Sequence, residues 1–315
     1  MIFDIAVILI NYNSSEHTIN CIRSIIEKTS KDLNYQIIIT DNCSKKEDYL
    51  KLKSFCDQAS FSNLELHRSS INTGFGGGNM FGVQFAKAKY LAFVNNDTLL
   101  KNDCLTILKN TLERNPIIGI GGAQAFKENG DFMISLDHFA SPIREIIGRK
   151  LIEIINPTKY PKRKKQYTNP QKVNFIPGSF MFVNATDFND VGGFDTNIFL
   201  YYEETDLCIR LAKKSKYAFL IPEAEFIHFH GASTEKSLAI KKELKISLLY
   251  IIRKHYGFFG HKIVFLFLMV KYFFSSIFKP KNWSLFFLIL SGAPLSKSLK
   301  AKQKIILINL DFIRL

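Results

Sequence analysis

The stretch that decides the fold is Ile5-Ala6-Val7-Ile8-Leu9-Ile10-Asn11-Tyr12-Asn13. Its first six residues form a continuous apolar run rich in β-branched side chains, which is typical of a strand buried on both faces of a parallel sheet. The polar residues end that strand, and isoleucines at helical spacing follow over residues 16–29. One strand–helix unit is therefore predicted at the start of the chain.

The same alternation continues along the chain. Because strands that alternate with helices imply right-handed crossovers, we predict an α/β fold with a mostly parallel sheet and helices on both faces. Residues 127–170 show no clear pattern and are predicted to be loop-rich. The predicted strands cover residues 5–10, 35–40, 64–67, 90–94, 117–123, 173–184, 217–221 and 224–228.

Polar clusters follow three of the predicted strands, at residues 11–13, 41–44 and 95–98. The carboxyl ends of parallel strands share one edge of an open sheet, and ligands bind at that edge. Asp97 is a candidate ligand there for Mg²⁺ or Mn²⁺ bridging phosphates, although a lone carboxylate after a strand is often only a turn-former. A ligand site is therefore expected at this edge.

A glycine-rich segment, Asn72-Thr73-Gly74-Phe75-Gly76-Gly77-Gly78-Asn79, follows the third predicted strand. It is not a dinucleotide-binding fingerprint, which would follow the first strand, and it lacks the Gly-Lys-Ser/Thr of a P-loop. We interpret it as a loop leading into a helix. Its glycines allow close backbone approach to a ligand, or they form a flexible turn with no ligand.

Acidic and imidazole side chains gather in the second half of the chain. Glu203, Glu204 and Asp206 crowd three carboxylates into four residues, which raises at least one pKa and suits a general base. The alternative is that these acids cap a helix N-terminus. His228 is a candidate metal ligand, base or plain surface residue.

The net charge of +14 is concentrated at one end of the chain. Residues 241–315 contain 14 Lys and Arg but only Glu243 and Asp311 as acids, whereas residues 1–240 are close to neutral. We therefore predict two regions, a globular unit at 1–240 and a basic, Phe-rich helical region at 241–315. The five cysteines match no zinc or disulfide pattern, so we expect unpaired thiols in a reducing compartment.

Taken in order, these motifs resemble the inverting nucleotide-sugar glycosyltransferases of family 2, over roughly residues 4–235. The resemblance is greatest to the rhamnosyltransferase and galactofuranosyltransferase branch. The motifs that carry it are Val7–Asn13, Asp41-Asn42-x-Ser44, Asn72-x-Gly74-Phe75-Gly76-x-Gly78-Asn79-x-x-Gly82, Asn95-Asn96-Asp97, Pro177–Met181, Gly192–Asp195, Tyr202-Glu203-Glu204-x-Asp206-Leu207-Cys208-x-Arg210 and His228-x-x-Gly231-x-Ser233.

The resemblance implies a GT-A fold, a nucleotide-diphosphate sugar donor (dTDP- or UDP-linked) and a divalent metal, Mg²⁺ or Mn²⁺. It implies Glu204 as catalytic base, with Glu203 beside it, and Asp97 with His228 at the metal. The first position of the family's D-x-D element is Asn95 rather than Asp, which weakens the case for metal dependence. The remaining candidates are Asn11, Asn13, Asp41, Asn72, Gly74, Asn79, Asn95 and Asn96 for the donor, and Tyr202, Asp206 and Arg210 for the acceptor.

The basic region contains long apolar runs interrupted by charges, of which the longest is Phe258–Phe278. Since charged residues at the centre of a bilayer are costly, we expect helices that lie in an anionic membrane surface rather than cross it. The alternatives are a helical subdomain packed on the catalytic unit and a dimer interface.

We therefore expect an enzyme at the cytoplasmic face of the bacterial inner membrane. It would transfer L-rhamnose from dTDP-rhamnose to a lipid-linked or polysaccharide acceptor in cell-surface glycan synthesis, such as O-antigen or capsule. Another hexosyl donor, including galactofuranose, is the alternative within the family. An inactive donor-binding scaffold and a nucleic-acid binder are alternatives of other classes; the second is disfavoured because no recognition motif accompanies the basic residues. The sequence leaves the acceptor, the linkage and the oligomeric state open.

Overall fold

A mixed nine-stranded sheet forms the centre of the computed structural model, which describes residues 2–229 and 237–306. The strands run in the spatial order β3-β2-β1-β4-β8-β6-β9-β5, and β7 pairs with β9. Their bounds are β1 Phe3–Asn11, β2 Tyr35–Asp41, β3 Leu64–Arg68, β4 Ala88–Asn95, β5 Thr98–Leu100, β6 Ile118–Phe126, β7 Gln171–Val173, β8 Phe180–Asn184 and β9 Tyr217–His228.

Helices cover both faces of this sheet, as predicted. Alternate side chains of β1 enter different clusters: Ile5 packs with α1, α2 and α4, whereas Ile8 packs with α7 and α8. The helices are α1 Ser15–Lys28, α2 Lys46–Gln58, α3 Gly74–Val83, α4 Cys104–Arg114, α5 Pro142–Ile147, α6 Arg149–Ile155, α7 Ala185–Asp190, α8 Glu203–Lys213, α9 Leu238–Phe278 and α10 Trp283–Leu290.

Parallel pairing aligns the polar ends of the first strands. β1 pairs in parallel with β2 and β4, with Asn11 opposite Asp41 and Ile10 opposite Asn95. The antiparallel strand β8 then separates β4 from β6, and β5 and β7 run antiparallel to β9. The sheet is therefore mixed but mostly parallel, and its polar clusters meet at one edge.

The glycine-rich segment is a helix rather than the predicted loop, since α3 begins at Gly74. A Cβ on Gly82 would lie 2.7 Å from Cγ2 of Ile8 and 2.9 Å from Oγ1 of Thr40. A Cβ on Gly74, whose φ is +76°, would lie 1.9 Å from the carbonyl O of Phe199. Gly82 therefore lets the helix lie directly on the sheet, and Gly74 lets its first turn approach the backbone of Phe199. The loop prediction did not anticipate this close packing.

Residues 127–170 are loop-rich, as predicted, and they also contain α5 and α6. One further prediction needs correction. The two predicted strands at 217–221 and 224–228 are one strand, β9. Its pairing with β6 shifts register between Ile221 and Glu225, so Pro222 lies in an irregularity where its missing N–H leaves no ladder position unfilled.

The C-terminal helices build a third apolar cluster. The first half of α9 is buried there together with Ala140 and Ile198, so residues from both sides of the predicted boundary near 240 share one core. The boundary itself stays a prediction. All five cysteines are free thiols. Of the motif positions, Gly231 and Ser233 lie outside the described residues, as do residues 307–315 of the basic region.

Gly257 divides α9 into two helical halves, since its φ of 68° and ψ of −162° are not helical. By length and composition α9 is the one helix in the described part of the chain that could cross a membrane. Only 17% of its most apolar window is buried in the protein. The second half instead exposes large apolar side chains, among them Phe259, Val270, Phe274 and Phe278.

Candidate functional site

The ends of β1 and β2 form a buried polar corner. Nδ2 of Asn11 donates to Oδ1 of Asp41 at 3.0 Å, to Oγ of Ser44 at 3.1 Å and to Oδ2 of Asp48 at 2.8 Å. Burial raises the pKa of Asp41, and hydrogen bonds from Ser44 and Asn11 oppose that effect. Nε of Arg68 lies 3.3 Å from Oδ2 of Asp41. Asp41 is therefore held by protein groups on every side.

The loop after β1 is pinned to the loop after β2. Asn13 has a left-handed backbone, with φ of 52°, and its Oδ1 accepts from the amide N of Lys45 at 2.8 Å. Its own amide N donates to Oγ of Ser44 at 2.9 Å. The side chain of Asn13 is exposed, unlike that of Asn11. This pair of loops leaves Asn13 and the 45%-exposed Tyr12 facing solvent at the sheet edge.

Asn42 connects this corner to the start of α3. Its Nδ2 donates to Oδ1 of Asn72 at 3.1 Å and to the carbonyl O of Gly74 at 3.0 Å, while Asn72 Oδ1 also accepts from the amide N of Gly74. Asn79 lies inside α3, where it is buried and donates to the carbonyl O of Phe75 at 3.2 Å. The sequence therefore brings Asn72 and Gly74 to the corner, and Asn79 to the helix face beneath them.

Thr18 of α1 joins this corner to the end of β4. Its Oγ1 donates to Oδ1 of Asn11 at 2.8 Å and accepts from Nδ2 of Asn96 at 2.8 Å. Nδ2 of Asn96 also donates to Oγ of Ser14 at 2.7 Å. Sequence reasoning missed Thr18, because nothing in a helical pattern marks which threonine faces the sheet edge.

Asp97 and His228 meet because β5 pairs with β9. Thr98 lies opposite His228 in that pairing, and the amide N of Phe229 donates to the carbonyl O of Asp97 at 3.0 Å. Nε2 of His228 is 3.2 Å from Oδ1 of Asp97. Burial works to raise the pKa of Asp97, but the adjacent His228 outweighs it and the pKa is lowered. The carboxylate is therefore charged at neutral pH.

This pair fits a divalent cation. Two ligands at adjacent positions of an octahedral Mg²⁺ or Mn²⁺ lie about 3 Å apart, close to the separation of these two atoms. Within residues 2–229 and 237–306, no cluster of three or more His, Cys, Asp or Glu side chains is placed to hold a metal. The further ligands would have to be water and substrate phosphate, as is usual for Mg²⁺.

Glu204 is linked to the end of β4 through two residues, Gly178 and Ser179. The amide N of Gly178 donates to Oε1 of Glu204 at 3.1 Å, and the carbonyl O of the next residue, Ser179, accepts from the amide N of Asn95 at 3.0 Å. A Cβ on Gly178 would lie 2.9 Å from Oε1 of Glu204 and 2.7 Å from the ring of Phe75. Glycine at 178 is therefore what admits the carboxylate.

The two adjacent glutamates differ in exposure. Burial raises the pKa of Glu204, with backbone hydrogen bonds opposing it and the charge of Asp137 adding to it. Burial and the charge of Glu204 raise the pKa of Glu203 well above its usual range, and Glu203 is only 1% exposed. Glu204 is half-buried, so it is the member of the pair that a substrate can contact.

Backbone strain marks the entrance to α8. Tyr201 and Tyr202 have φ of 73° and 74°, and two successive non-glycine residues in this region cost about 1–3 kcal/mol each. The Tyr202 ring lies under the Arg144 guanidinium, 5.6 Å from its centroid. Such strain clusters at functional sites, where the surrounding structure enforces it. Here it lies directly before Glu203 and Glu204, the first two residues of α8.

Asp206 and Arg210 have their polar atoms bound to other protein groups. Asp206 is fully buried, and its oxygens contact Nε of Arg210 at 2.8 Å, Nε2 of His255 at 2.7 Å and Nζ of Lys254 at 2.7 Å. The hydrogen bond from His255 and the charges of Arg210 and Lys254 outweigh the effect of burial and hold the pKa of Asp206 far below its usual range. Nη2 of Arg210 also donates to the carbonyl O of Gly193 at 2.6 Å. These contacts join α8 to α9 and to the Gly192–Gly193 turn.

With this geometry in view, comparison with known proteins identifies the family. The profile described as "Glycosyl transferase family 2" matches residues 6–192, more than half of the chain. The chain belongs to this family. It is therefore a glycosyltransferase, as the order of its motifs predicted.

Two rhamnosyltransferases are among its relatives. Rhamnosyltransferase WbbL of Escherichia coli (strain K12) is 28% identical over 244 residues, which cover 74% of this chain and 88% of that protein. An N-acetylglucosaminyl-diphospho-decaprenol L-rhamnosyltransferase of Mycobacterium tuberculosis (strain ATCC 25618 / H37Rv) is 29% identical over 98 residues, which cover 30% of this chain and 32% of that protein.

Solved structures show the same fold. The crystal structure of GalNAc-T7 with UDP, GalNAc and Mn²⁺ aligns with a TM-score of 0.59 at 12% identity, over 81% of this chain and 49% of that one. The mannosyltransferase PcManGT of Pyrobaculum calidifontis, in complex with GDP-Man and Mn²⁺, aligns with a TM-score of 0.56 at 11% identity, over 94% and 87%. The fold is therefore GT-A, with the helical C-terminal region added to it.

Proposed function

We propose that this chain transfers L-rhamnose from dTDP-rhamnose to a lipid-linked acceptor, with inversion, in the assembly of a bacterial cell-surface glycan such as O-antigen. The observation that carries the proposal is the half-buried Glu204, bonded to Gly178 N beside the Asn95–Asp97 strand end. The choice of sugar is supported by the similarity to rhamnosyltransferase WbbL, and that of a lipid-linked acceptor by the name of the mycobacterial relative.

The donor nucleoside is assigned to the corner between β1, β2 and α3. Asp41 and Asn11 hold one another and shape its floor, while Asn13 faces solvent above them. Asn72 and Gly74 form one wall through Asn42, and Asn79 lies in the helix behind that wall. Asp41 acts through a pre-formed hydrogen-bond network, because its oxygens already have protein partners.

The donor diphosphate is assigned to the end of β4, at Asn95, Asn96 and Asp97. Asp97 and His228 would hold Mg²⁺ or Mn²⁺ there, and the two structural relatives crystallised with Mn²⁺ support a divalent ion. When bound, the metal would offset the negative charge that develops on the leaving diphosphate. Asn95 places an uncharged amide where a second carboxylate would otherwise add negative charge.

Glu204 is assigned the role of general base. It takes the proton of an acceptor hydroxyl as that oxygen bonds to the anomeric carbon, while the bond from that carbon to the diphosphate oxygen breaks on the opposite face. One displacement inverts the centre and releases the nucleoside diphosphate. The raised pKa of Glu204 makes it a stronger base than an exposed glutamate, and Gly178 N orients its carboxylate. Glu203, buried beneath it, packs against α3 near Gly76.

Asp206 and Arg210 are assigned a positioning role rather than contact with the acceptor, because their polar atoms already bind protein groups. Tyr202, which has a strained backbone directly before α8, is the remaining candidate for contact with the acceptor.

Membrane association is proposed for the C-terminal region. The second half of α9 exposes Phe and aliphatic side chains on a chain segment rich in lysine. A recess between the halves of α9 and α10 is lined by Lys241, Lys245 and Lys271, with no acidic residue among its lining residues. Anionic head groups match such a surface, which agrees with action on a lipid-linked acceptor at the cytoplasmic face of the inner membrane.

A donor screen tests the proposed donor. The purified chain is heated with dTDP-rhamnose, UDP-galactofuranose, UDP-glucose or GDP-mannose, each with and without MnCl₂. A ligand at about 100 times its Kd stabilises the folded state by about 2.7 kcal/mol, enough for a clear shift in Tm. We expect the largest shift with dTDP-rhamnose and Mn²⁺. A larger shift with a different nucleotide sugar would reassign the donor.

A further inference from the structure

The segment that contains α5 and α6 presents its apolar side chains to solvent. Six of them are 38–70% exposed, although they belong to helices of only six and seven residues. On a helix at the surface of a soluble protein, apolar side chains face the core instead. These six residues are Ile143, Ile146, Ile147, Leu151, Ile154 and Ile155.

Three charged side chains of α5 and α6, those of Arg144, Arg149 and Glu153, bind protein groups. Arg144 is buried and its Nη1 donates to the carbonyl O of His138 at 2.8 Å, and Glu153 accepts from Nε of Arg163 at 2.9 Å. Nε of Arg149 binds Oδ1 of Asp137 at 2.8 Å. The segment is therefore held in place by its polar groups, and its apolar side is left without a protein partner among the described residues.

This apolar side adjoins the exposed half of α9. α5 packs against α9, and Ala140, just before α5, belongs to the apolar cluster of the C-terminal helices. A Cβ on Gly260 would lie 3.4 Å from Cγ of Pro142, the first residue of α5. Phe258 and Phe259, directly before Gly260, are 53% and 80% exposed. The exposed apolar side of α5 and α6 therefore adjoins that of the second half of α9, close to the break in α9 at Gly257.

Charge sets the segment apart from the rest of the catalytic unit. Residues 142–165 contain eight Lys and Arg against two Asp and Glu, whereas the remainder of residues 1–240 contains 20 against 24. Both acids are paired, Glu145 with Arg144 and Glu153 with Arg163. Most of the basic side chains are exposed, namely Lys150, Lys159, Lys162, Lys164 and Lys165. The surplus positive charge is therefore available to an anionic partner.

We propose that α5 and α6 insert into the surface of an anionic lipid bilayer, as a second membrane contact beside the second half of α9. Apolar side chains that enter the acyl boundary while lysines meet the head groups are the pattern of interfacial helices. This inference rests on the membrane association proposed above. Arg149 of α6 binds Asp137, and the backbone of Asp137 pairs with that of Phe175, three residues before the Gly178 that binds Glu204. The contact would therefore bring a lipid-linked acceptor near the base.

A single tryptophan can report the insertion, since Trp283 is the only one in the chain. In the full-length chain, Ile154→Trp is combined with Trp283→Phe, and vesicles of phosphatidylethanolamine and phosphatidylglycerol are added. We expect a blue-shifted emission that lipids brominated on their acyl chains quench. The matched control is Ile117→Trp with Trp283→Phe, because Ile117 is 51% exposed and lies directly before β6, outside residues 142–165 and α9. Its emission should not change.

Three outcomes are distinguishable. If the chain sediments with the vesicles but the tryptophan at 154 keeps a water-exposed emission, the second contact is wrong and the association through α9 stands. If the wild-type chain does not sediment with them at all, both proposals are contradicted. Quenching at 154 but not at 117 supports the second contact.

Substitution of the apolar side gives an independent measurement. The double variant Ile147→Asn with Ile154→Asn should bind the same vesicles about tenfold or more weakly, because two large side chains no longer leave water. Ile117→Asn should bind as wild type does. Donor-induced thermal stabilisation should be the same in both variants as in the wild type, which would show that the fold is intact. Unchanged vesicle binding by the double variant would overturn the proposal.

Discussion

At the scale of single residues, the site depends on carboxylates in unlike surroundings. The contact with His228 lowers the pKa of Asp97, whereas burial raises the pKa of Glu204. One carboxylate is therefore suited to a cation and the other to accepting a proton. Asp97 follows the end of β4 directly. Glu204 accepts from the amide N of Gly178, and the next residue, Ser179, accepts from the amide N of Asn95 at that strand end.

Asp97→Asn should weaken Mn²⁺ binding about tenfold or more in the presence of nucleoside diphosphate. The substitution removes the charge that attracts the cation while keeping the shape of the side chain. Titration with Mn²⁺ followed by electron paramagnetic resonance measures the change. The control is Asp131→Asn, since Asp131 is an exposed acid paired with Lys127. Equal Mn²⁺ affinity in wild type and Asp97→Asn would refute the metal assignment.

The candidate site was predictable wherever a polar residue directly follows an apolar strand. Asn11, Asp41 and Asn95 are found by that rule, and the parallel register brings them together. Thr18 and Gly178 were not found. Their roles come from contacts between segments far apart in the chain, such as the bond from Gly178 to Glu204, and such contacts leave no local pattern.

At the scale of elements, α3 shows how glycine spacing can mislead. A glycine-rich run has poor helix propensity, so a loop is predicted. The structure has a helix there, because the sheet beneath α3 leaves no room for side chains on that face of the helix. The same limit applies to α5 and α6. Their apolar residues face outward, so a search for helices that bury an apolar face overlooks them.

Gly82→Ala should lower the free energy of unfolding by about 1–3 kcal/mol, because the new methyl group would overlap Ile8 and Thr40 on the sheet. Gly76→Ala is the matched control in the same helix. Its Cβ would meet Cγ of Glu203 at 3.4 Å, near ordinary contact, and Ala favours helix over Gly. Urea denaturation measures both variants. If Gly82→Ala is as stable as Gly76→Ala, close packing of α3 does not explain its glycines.

Asp206→Asn should lower the free energy of unfolding by about 3–5 kcal/mol at neutral pH, since it leaves Arg210, His255 and Lys254 without their shared carboxylate. The pKa of Asp206 is lowered by folding, so its contribution is present above its unfolded pKa and is lost as pH falls towards the folded value. The difference from wild type should therefore shrink below about pH 4.

Thermal unfolding over a series of pH values measures this, with Asp187→Asn as the control. Asp187 forms a partly exposed pair with Lys216, for which a far smaller change is expected. A stability difference that stays constant down to acid pH would mean that Asp206 does not act through its charge.

At the scale of the whole molecule, charge and apolar surface lie on the same parts of the chain. The net charge of +14 comes from the C-terminal region and from residues 142–165, and both expose large apolar side chains. The uneven charge was visible in the sequence. The packing of α9 against the catalytic unit was not, since it depends on apolar partners such as Ile198 that are distant in sequence.

Binding to vesicles should therefore depend on head-group charge. We expect sedimentation with phosphatidylglycerol vesicles at least about tenfold tighter than with phosphatidylcholine vesicles, because each basic residue near an anionic surface adds about 1 kcal/mol. Salt should weaken the binding without abolishing it, since the apolar insertion is not screened. Equal binding to neutral and anionic vesicles would contradict this account of the charge.

The most direct test of the central claim is the release of dTDP from dTDP-rhamnose, in the presence of Mn²⁺ and a lipid-linked acceptor, by wild type and by Glu204→Gln. Loss of a general base lowers the rate about 10²–10⁴-fold. We predict a loss of that size with donor-induced thermal stabilisation retained, because Gln keeps an oxygen for the Gly178 amide. A Glu204→Gln rate within a few-fold of wild type would contradict the assignment of Glu204 as the base.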